Sequence, residues 1–332
     1  MGRTARRRFL VCAGAVLAAP FAGAQPAPRL RRIGILADTA PPKGKVDGRR
    51  IWMRKGLERR GWLEGRDFVY EIRYAAGKAE RYPALVDELI RLKVDVIIAP
   101  SEDGALAARA ATRTIPIIMI YPLNPIRLGL IESYAHPGGN VTGLTYEVGS
   151  QTMIGKQLEM FKEAVPGISR VAVLWNPASA QSERWLTETR DPARRLSLEV
   201  LPIAVRAPED LESAFSQMSE RDANALYILA DPMLYLHRAK LAELAVRRML
   251  PALSGLYRWP QSGGLMAYEA VIPELYARAT DYIDKILRGA NPAELPVEQP
   301  TKFNLTVNLK TAKAIGITIP QSILLRADRV ID

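Results

Sequence analysis

Strand-length apolar runs alternate with segments of helical period along this chain, and that rhythm restricts the fold more than any other feature. Arg32–Ala37 is followed by Gly48–Arg60, Phe68–Tyr74 by Ala79–Leu92, and Val94–Ala99 by Asp103–Thr112, with Ile115–Ile120 as a further strand. The runs are continuous in Val and Ile instead of alternating apolar with polar, so both faces of each strand must be covered, as in a parallel sheet flanked by helices. After the turn-forming cluster His136-Pro137-Gly138-Gly139-Asn140 the rhythm restarts. Helix Ser150–Ala164 and strand Arg170–Trp175 come first, then helix Ser179–Leu196, strand Leu198–Ile203, helix Pro208–Ser219, strand Ala225–Leu229 and helix Leu236–Met249. The two halves share this organisation but no residue-level repeat.

The predicted fold is therefore α/β, with two doubly wound parallel-sheet lobes. The tail adds Gly263-Gly264-Leu265-Met266-Ala267-Tyr268, a helix at Pro273–Arg288, a proline-rich crossing at Asn291–Lys302, a strand at Asn304–Asn308 and a helix at Lys310–Ala314. Elements like these close two different lobes, which assigns residues 30–140 with about 265–290 to the first lobe and 141–262 with about 300–332 to the second. A chain that passes between lobes several times makes a multi-stranded hinge, which permits bending and limits twist.

The N-terminus reads as an address. Arg3, Arg6, Arg7 and Arg8 precede an apolar stretch, Phe9–Ala22, that is short for a bilayer span, and Ala22-Gly23-Ala24 offers a cleavage site before Gln25. Residues 1–24 are thus expected to be a cleaved signal peptide that places the mature protein in the periplasm or otherwise outside the cytoplasm. Arg6-Arg7-Arg8-Phe9-Leu10 also fits a twin-arginine signal. Cleavage would remove Cys12, the one cysteine, leaving no disulfide and no thiolate chemistry. The net charge of +11 falls to +7 without the four signal arginines, and the remaining basic residues are interspersed with acidic ones, a solvated surface and not a nucleic-acid stripe.

Several strings in the second half and tail carry more specific information. They are His136-Pro137-Gly138-Gly139-Asn140-Val141-Thr142-Gly143, Arg170-Val171-Ala172-Val173-Leu174-Trp175-Asn176-Pro177 and Gly263-Gly264-Leu265-Met266-Ala267-Tyr268. Leu295-Pro296-Val297-Glu298-Gln299-Pro300-Thr301-Lys302-Phe303, Asn308-Leu309-Lys310-Thr311-Ala312-Lys313-Ala314-Ile315-Gly316 and Ile319-Pro320 complete the set. In order and spacing the chain resembles the ABC transporter substrate-binding family that includes the tryptophan-type binding proteins. The resemblance implies a type I periplasmic-binding-protein fold, a small organic solute (amino-acid-like, or an aromatic or carboxylate compound) held between the lobes, and delivery to a membrane permease. A monomer is expected.

In open parallel sheets ligands bind beyond the carboxyl ends of the strands. That rule selects Asp38, Ser101 and Tyr121 in the first lobe, Trp175, Asn176, Asp231 and Tyr257 in the second, and Tyr268 near the hinge. Asp38 and Asp231 suit an amino group or, alternatively, a turn or helix cap; the resemblance favours contact for Asp231. Ser101 either donates to an anionic group or caps the helix after it. Asn176 offers both donor and acceptor, and Trp175, Tyr121, Tyr257 and Tyr268 either stack on a planar ligand or fill a lobe core. Two segments depart from the family pattern. Tyr121-Pro122-Leu123-Asn124-Pro125-Ile126-Arg127 replaces a glycine-and-aspartate version beside the crevice, which puts tryptophan itself, and amino acids more generally, in doubt as the ligand, and Glu269-Ala270 follows Tyr268 where a glycine is typical.

An enzyme would need a reactive constellation. His136 belongs to the turn cluster and His237 starts a basic helix, and neither has an evident partner. There is no GxGxxG after the first strand, no phosphate loop, no Gly-x-Ser-x-Gly elbow and no clustered metal ligands, so no cofactor and no metal is expected. A clamp that serves a sensor kinase or chemoreceptor instead of a permease is the alternative the sequence leaves open.

Overall fold

The computed structural model describes residues 29–332 apart from 43–46 and 149–150. The export signal expected at residues 1–24 lies outside the described residues. The first lobe alternates β1 (Arg31–Ala37), α1 (Gly48–Glu58), β2 (Phe68–Tyr74), α2 (Tyr82–Arg91), β3 (Val96–Ala99), α3 (Glu102–Ala111), β4 (Ile117–Met119) and β5 (Val141–Gly143). Its five strands are all parallel, in the order β2-β1-β3-β4-β5. β3 and β4 are buried along their whole length, which is why their sequences, VIIA and IIM, lack polar alternation.

A short hairpin, β6 (Glu147–Val148) with β7 (Gln151–Thr152), leads into the second lobe. There the order is α4 (Met153–Ala164), β8 (Arg170–Trp175), α5 (Ala180–Arg195), β9 (Glu199–Ala204), α6 (Leu211–Glu220), β10 (Ala225–Ile228), α7 (Pro232–Leu236), α8 (Arg238–Arg247), β11 (Ala252–Ser254) and β12 (Met266–Ala270). After α9 (Ile272–Leu287) come β13 (Phe303–Asn308), α10 (Leu309–Ala314), α11 (Gln321–Leu324) and β14 (Arg329–Ile331). The second sheet runs β14-β13-β12-β11-β10-β8-β9 and is parallel except between β12 and β13.

Two segments sit on the other side of the boundary from where the sequence rhythm puts them. Met266–Ala270, expected with the first lobe, is an inner strand of the second sheet, paired with β11 and β13. Val141–Gly143, expected in the second lobe, is the edge of the first sheet beside β4. Both are too short or too mixed in composition for periodicity to assign them a sheet. α9 then leaves the second sheet and packs along α1, so closely that a Cβ on Gly56 would lie 2.5 Å from the Thr280 hydroxyl.

The chain therefore crosses between lobes from β5 to α4, from β12 to α9, and from α9 to β13. The first and third crossings are tied together: Glu298 N–H donates to the Gly143 carbonyl at 3.0 Å, Thr145 N–H to the Glu298 carbonyl at 3.1 Å, and the Thr142 hydroxyl to the Leu295 carbonyl at 2.6 Å. These bonds hold the first and third crossings side by side. Among the described residues no helix is long and apolar enough to cross a membrane.

Candidate functional site

The rims of the two lobes meet at the N-termini of α3 and α5. Ser101 caps α3, its hydroxyl accepting from Gly104 N–H at 3.1 Å and sharing a 2.7 Å hydrogen bond with Tyr82, while Ser179 caps α5. Across the gap, the Gln181 side-chain carbonyl accepts the Glu102 N–H at 2.9 Å and the Ser179 hydroxyl donates to Asp103 at 3.1 Å. Arg184 joins Glu102 and, at 2.9 Å, Asp103. Glu102 is only 1% exposed, and burial raises its pKa against the pull of Arg184. A buried carboxylate whose cation comes from the other lobe acts as a latch for the closed arrangement.

Inside this rim, six aromatic rings form one unbroken relay that begins and ends on the second lobe. Tyr257, after β11, meets Trp52 of α1 edge-on at 6.1 Å. Trp52 lies 5.5 Å from Tyr276 of α9, and Tyr276 lies 6.3 Å from Tyr121, which follows β4. Tyr121 is 6.0 Å from Tyr146 in the first crossing, and Tyr146 stacks in parallel at 6.4 Å on Trp185 of α5. Tyr276, Tyr146 and Trp185 are buried, while Trp52, Tyr121 and Tyr257 keep partial exposure. Burial, first, and then the adjoining Tyr276 push the Tyr121 phenol well up, so both hydroxyls stay protonated and serve as neutral donors. A small cavity beneath the relay is lined by Leu123, Tyr146, Gln157, Trp185, Tyr227 and Gly255 among others.

Carboxyl groups frame the rings. At the end of β1, Asp38 accepts from Arg49 at 2.7 Å, and the same guanidinium binds Asp47 through two nitrogens (3.0 and 2.9 Å) and the Thr39 hydroxyl at 2.8 Å. Among the described residues, Asp38 and Asp47 share this one arginine. On the second lobe Asp231 caps α7, accepting from Met233 and Leu234 N–H at 2.9 and 3.1 Å and from the Asn176 amide at 3.2 Å. Asn176 in turn accepts the Ala178 N–H at 2.9 Å. Asp231 is 3% exposed, and burial outweighs those hydrogen bonds to push its carboxyl up to about 6.

Tyr257 and Tyr121 thus enter the relay, while Asp38, Asn176, Asp231 and Ser101 are engaged in caps, hydrogen bonds and ion pairs. Trp175 takes the same face of β8 as Val171 and Val173 and packs half-buried on the core beside them, outside the relay. Tyr268 likewise stands apart: it stacks on Phe303 at 5.6 Å. Successive strand residues face opposite ways, so the face Tyr268 leaves is taken by Glu269, whose carboxyl accepts the Arg258 N–H and lies within electrostatic reach of the Tyr146 phenol.

Sequence reasoning missed Trp52, Tyr146, Trp185, Tyr276, Arg49 and Glu269. Four of these lie on helices, and the strand-end rule selects only the loops after strands; Tyr146 follows a three-residue strand that carries no periodic signal. Glu269 alone had a readable signal, a charged side chain directly after an apolar run that ends in the hinge.

Two doubly wound lobes that close rim to rim over an aromatic cleft define a two-lobed ligand clamp of the type I periplasmic-binding-protein kind. Within that class, the chain belongs to the ABC transporter substrate binding protein family, which it matches over residues 45–331. It is 24% identical over 263 residues to the tyrosine-binding protein of Clostridioides difficile (strain R20291), covering 79% of this chain and 75% of that one. Among solved structures it is similar to a conserved domain protein from Vibrio cholerae (TM-score 0.82, 22% identity, 91% of this chain and 100% of that one). It is also similar to an ABC domain in complex with L-Trp from Streptococcus pneumonia (TM-score 0.79, 22% identity, with the same coverage of each chain).

Proposed function

We propose that the cleft captures a small solute with an aromatic or planar body, outside the cytoplasm, and that the closed clamp hands it unchanged to the membrane permease of an ABC importer. The aromatic relay carries this reading. Rings from α1, α9 and the loop after β4 meet rings from the second lobe, so a flat ligand inserted among them touches both lobes only when they are shut. Closure is then selected by the ligand's extra contacts in the shut state. Moving the population from 1:99 to 99:1 requires about 5.5 kcal/mol of differential affinity, within reach of a buried ring and two or three charge-assisted hydrogen bonds. Capture without conversion and delivery to a permease accord with the family to which the chain belongs.

Protein unfolded and refolded to strip carried ligand tests the reading when its thermal midpoint is followed against amino acids, aromatic acids, aromatic amines, small carboxylates and sugars. A saturable rise with an aromatic compound is expected, and a flat response to every aromatic compound contradicts the reading. The latch gives a second expectation. Arg184→Ala leaves Glu102 and Asp103 without their partner in the shut state only, so it should weaken binding of the same compound by roughly tenfold to a hundredfold while the fold is retained, as read by calorimetric titration.

A further inference from the structure

The Glu269 carboxyl stands at the C-terminal end of β12, the strand end at which ligands sit in sheets of this kind. It is 7% exposed, and Oε2 has no hydrogen-bond partner. A buried polar atom without a partner is costly and rare in a folded chain, and calls for an explanation of its own. Among the described residues, the groups around it supply no cation. Arg258, from the loop after β11, offers only its backbone N–H, and its guanidinium is exposed over the Tyr257 ring at 5.3 Å. The Tyr146 phenol is the titratable neighbour from the first crossing, and Asn304 lies opposite on β13. Arg49, across the relay, is taken up by Asp38, Asp47 and Thr39. Rings and carboxyls together suit a flat body that carries positive charge, since π faces and carboxylates both attract ammonium groups.

We propose that Glu269 receives the protonated amine of the solute, which makes the cleft selective for aromatic amines and amino acids over aromatic acids. This rests on the cleft being a solute site. The ligand's ammonium donates to the free Oε2 while the carboxyl keeps the Arg258 N–H. Because burial holds the empty carboxyl at about 8, binding of a cation near neutral pH drives its proton into solvent.

Matched probes that differ only in their charged group test this: L-tyrosine, tyramine and 3-(4-hydroxyphenyl)propanoate, with the corresponding indole series, titrated calorimetrically at pH 7 in buffers of different ionisation enthalpy. The amine-bearing probes should bind at least about tenfold more tightly than the propanoates and release up to about one proton, while Glu269→Gln should lose at least about tenfold for the amines and release none. Retained circular dichroism of the variant, and unchanged weak propanoate binding, separate this from unfolding. Propanoates that bind as well as the amines, or amine binding indifferent to Glu269→Gln, overturn the proposal and leave solute capture standing. Binding of none of the probes overturns both.

Discussion

Tyr276→Ala should destabilise the protein by about 3–5 kcal/mol in urea unfolding and abolish capture of aromatic solutes. The ring is 1% exposed, in the second turn of α9, and held between Trp52 at 5.5 Å and Tyr121 at 6.3 Å. Its removal leaves a cavity where α9 returns to the first lobe, and it also severs the relay between the rings on either side. Tyr276→Phe separates the two effects. It keeps the packing and deletes only the hydroxyl beside Tyr121, so its cost should stay near about 1 kcal/mol. An alanine variant as stable as the parent would mean that α9 is not the seam the packing makes it.

The second large effect is a pH dependence that Glu269→Gln should erase. The folded carboxyl titrates near 8 against an ordinary value of 4.5, because burial disfavours its charge. Below about pH 4.5 the group is protonated whether the chain is folded or not, and it adds no pH dependence. As pH rises from there to about 8, the unfolded chain ionises while the folded one does not, so ligand-free stability falls across that window and levels off above it. The loss amounts to about 3–5 kcal/mol. Asp231 adds a smaller fall between about 4 and 6 from the same cause, but it is common to parent and variant and cancels in the comparison. Urea unfolding of both proteins at pH 5 and pH 8 should show a steeper decline for the parent; parallel behaviour would mean that Glu269 is hydrated or paired in solution.

The fold was legible because burial on both faces leaves a direct mark on composition: Val96–Ala99 and Ile117–Met119 have no polar positions, and helices of matching length separate them. Where that mark fades, so did the reading. Val141–Gly143 is three residues with a threonine at its centre, and Met266–Ala270 has a buried glutamate, so neither announced its sheet. Reading from the strand ends brought forward Asp38, Ser101, Tyr121, Trp175, Asn176, Asp231 and Tyr257 as candidates, of which Tyr121 and Tyr257 fall in the relay. Their partners did not come forward, because Trp52, Trp185 and Tyr276 occupy helix faces where an aromatic ring reads the same whether it packs on a core or on the opposite lobe. Of their contacts, Trp52 with Tyr257 and Tyr146 with Trp185 are the ones that reach across to the second lobe. The same alternation that places Tyr268 against Phe303 turns Glu269 to the opposite face of the strand, a one-residue difference that decides which side chain is available to a ligand.

A clamp must change shape when it binds, so small-angle scattering of stripped protein, with and without a saturating aromatic amine or amino acid, tests the central claim most directly. The radius of gyration should fall on addition of ligand toward the value of the shut arrangement latched by Arg184, and should fall less in Arg184→Ala at the same ligand concentration. A radius that stays constant while the ligand demonstrably binds would contradict capture by closure of the two lobes.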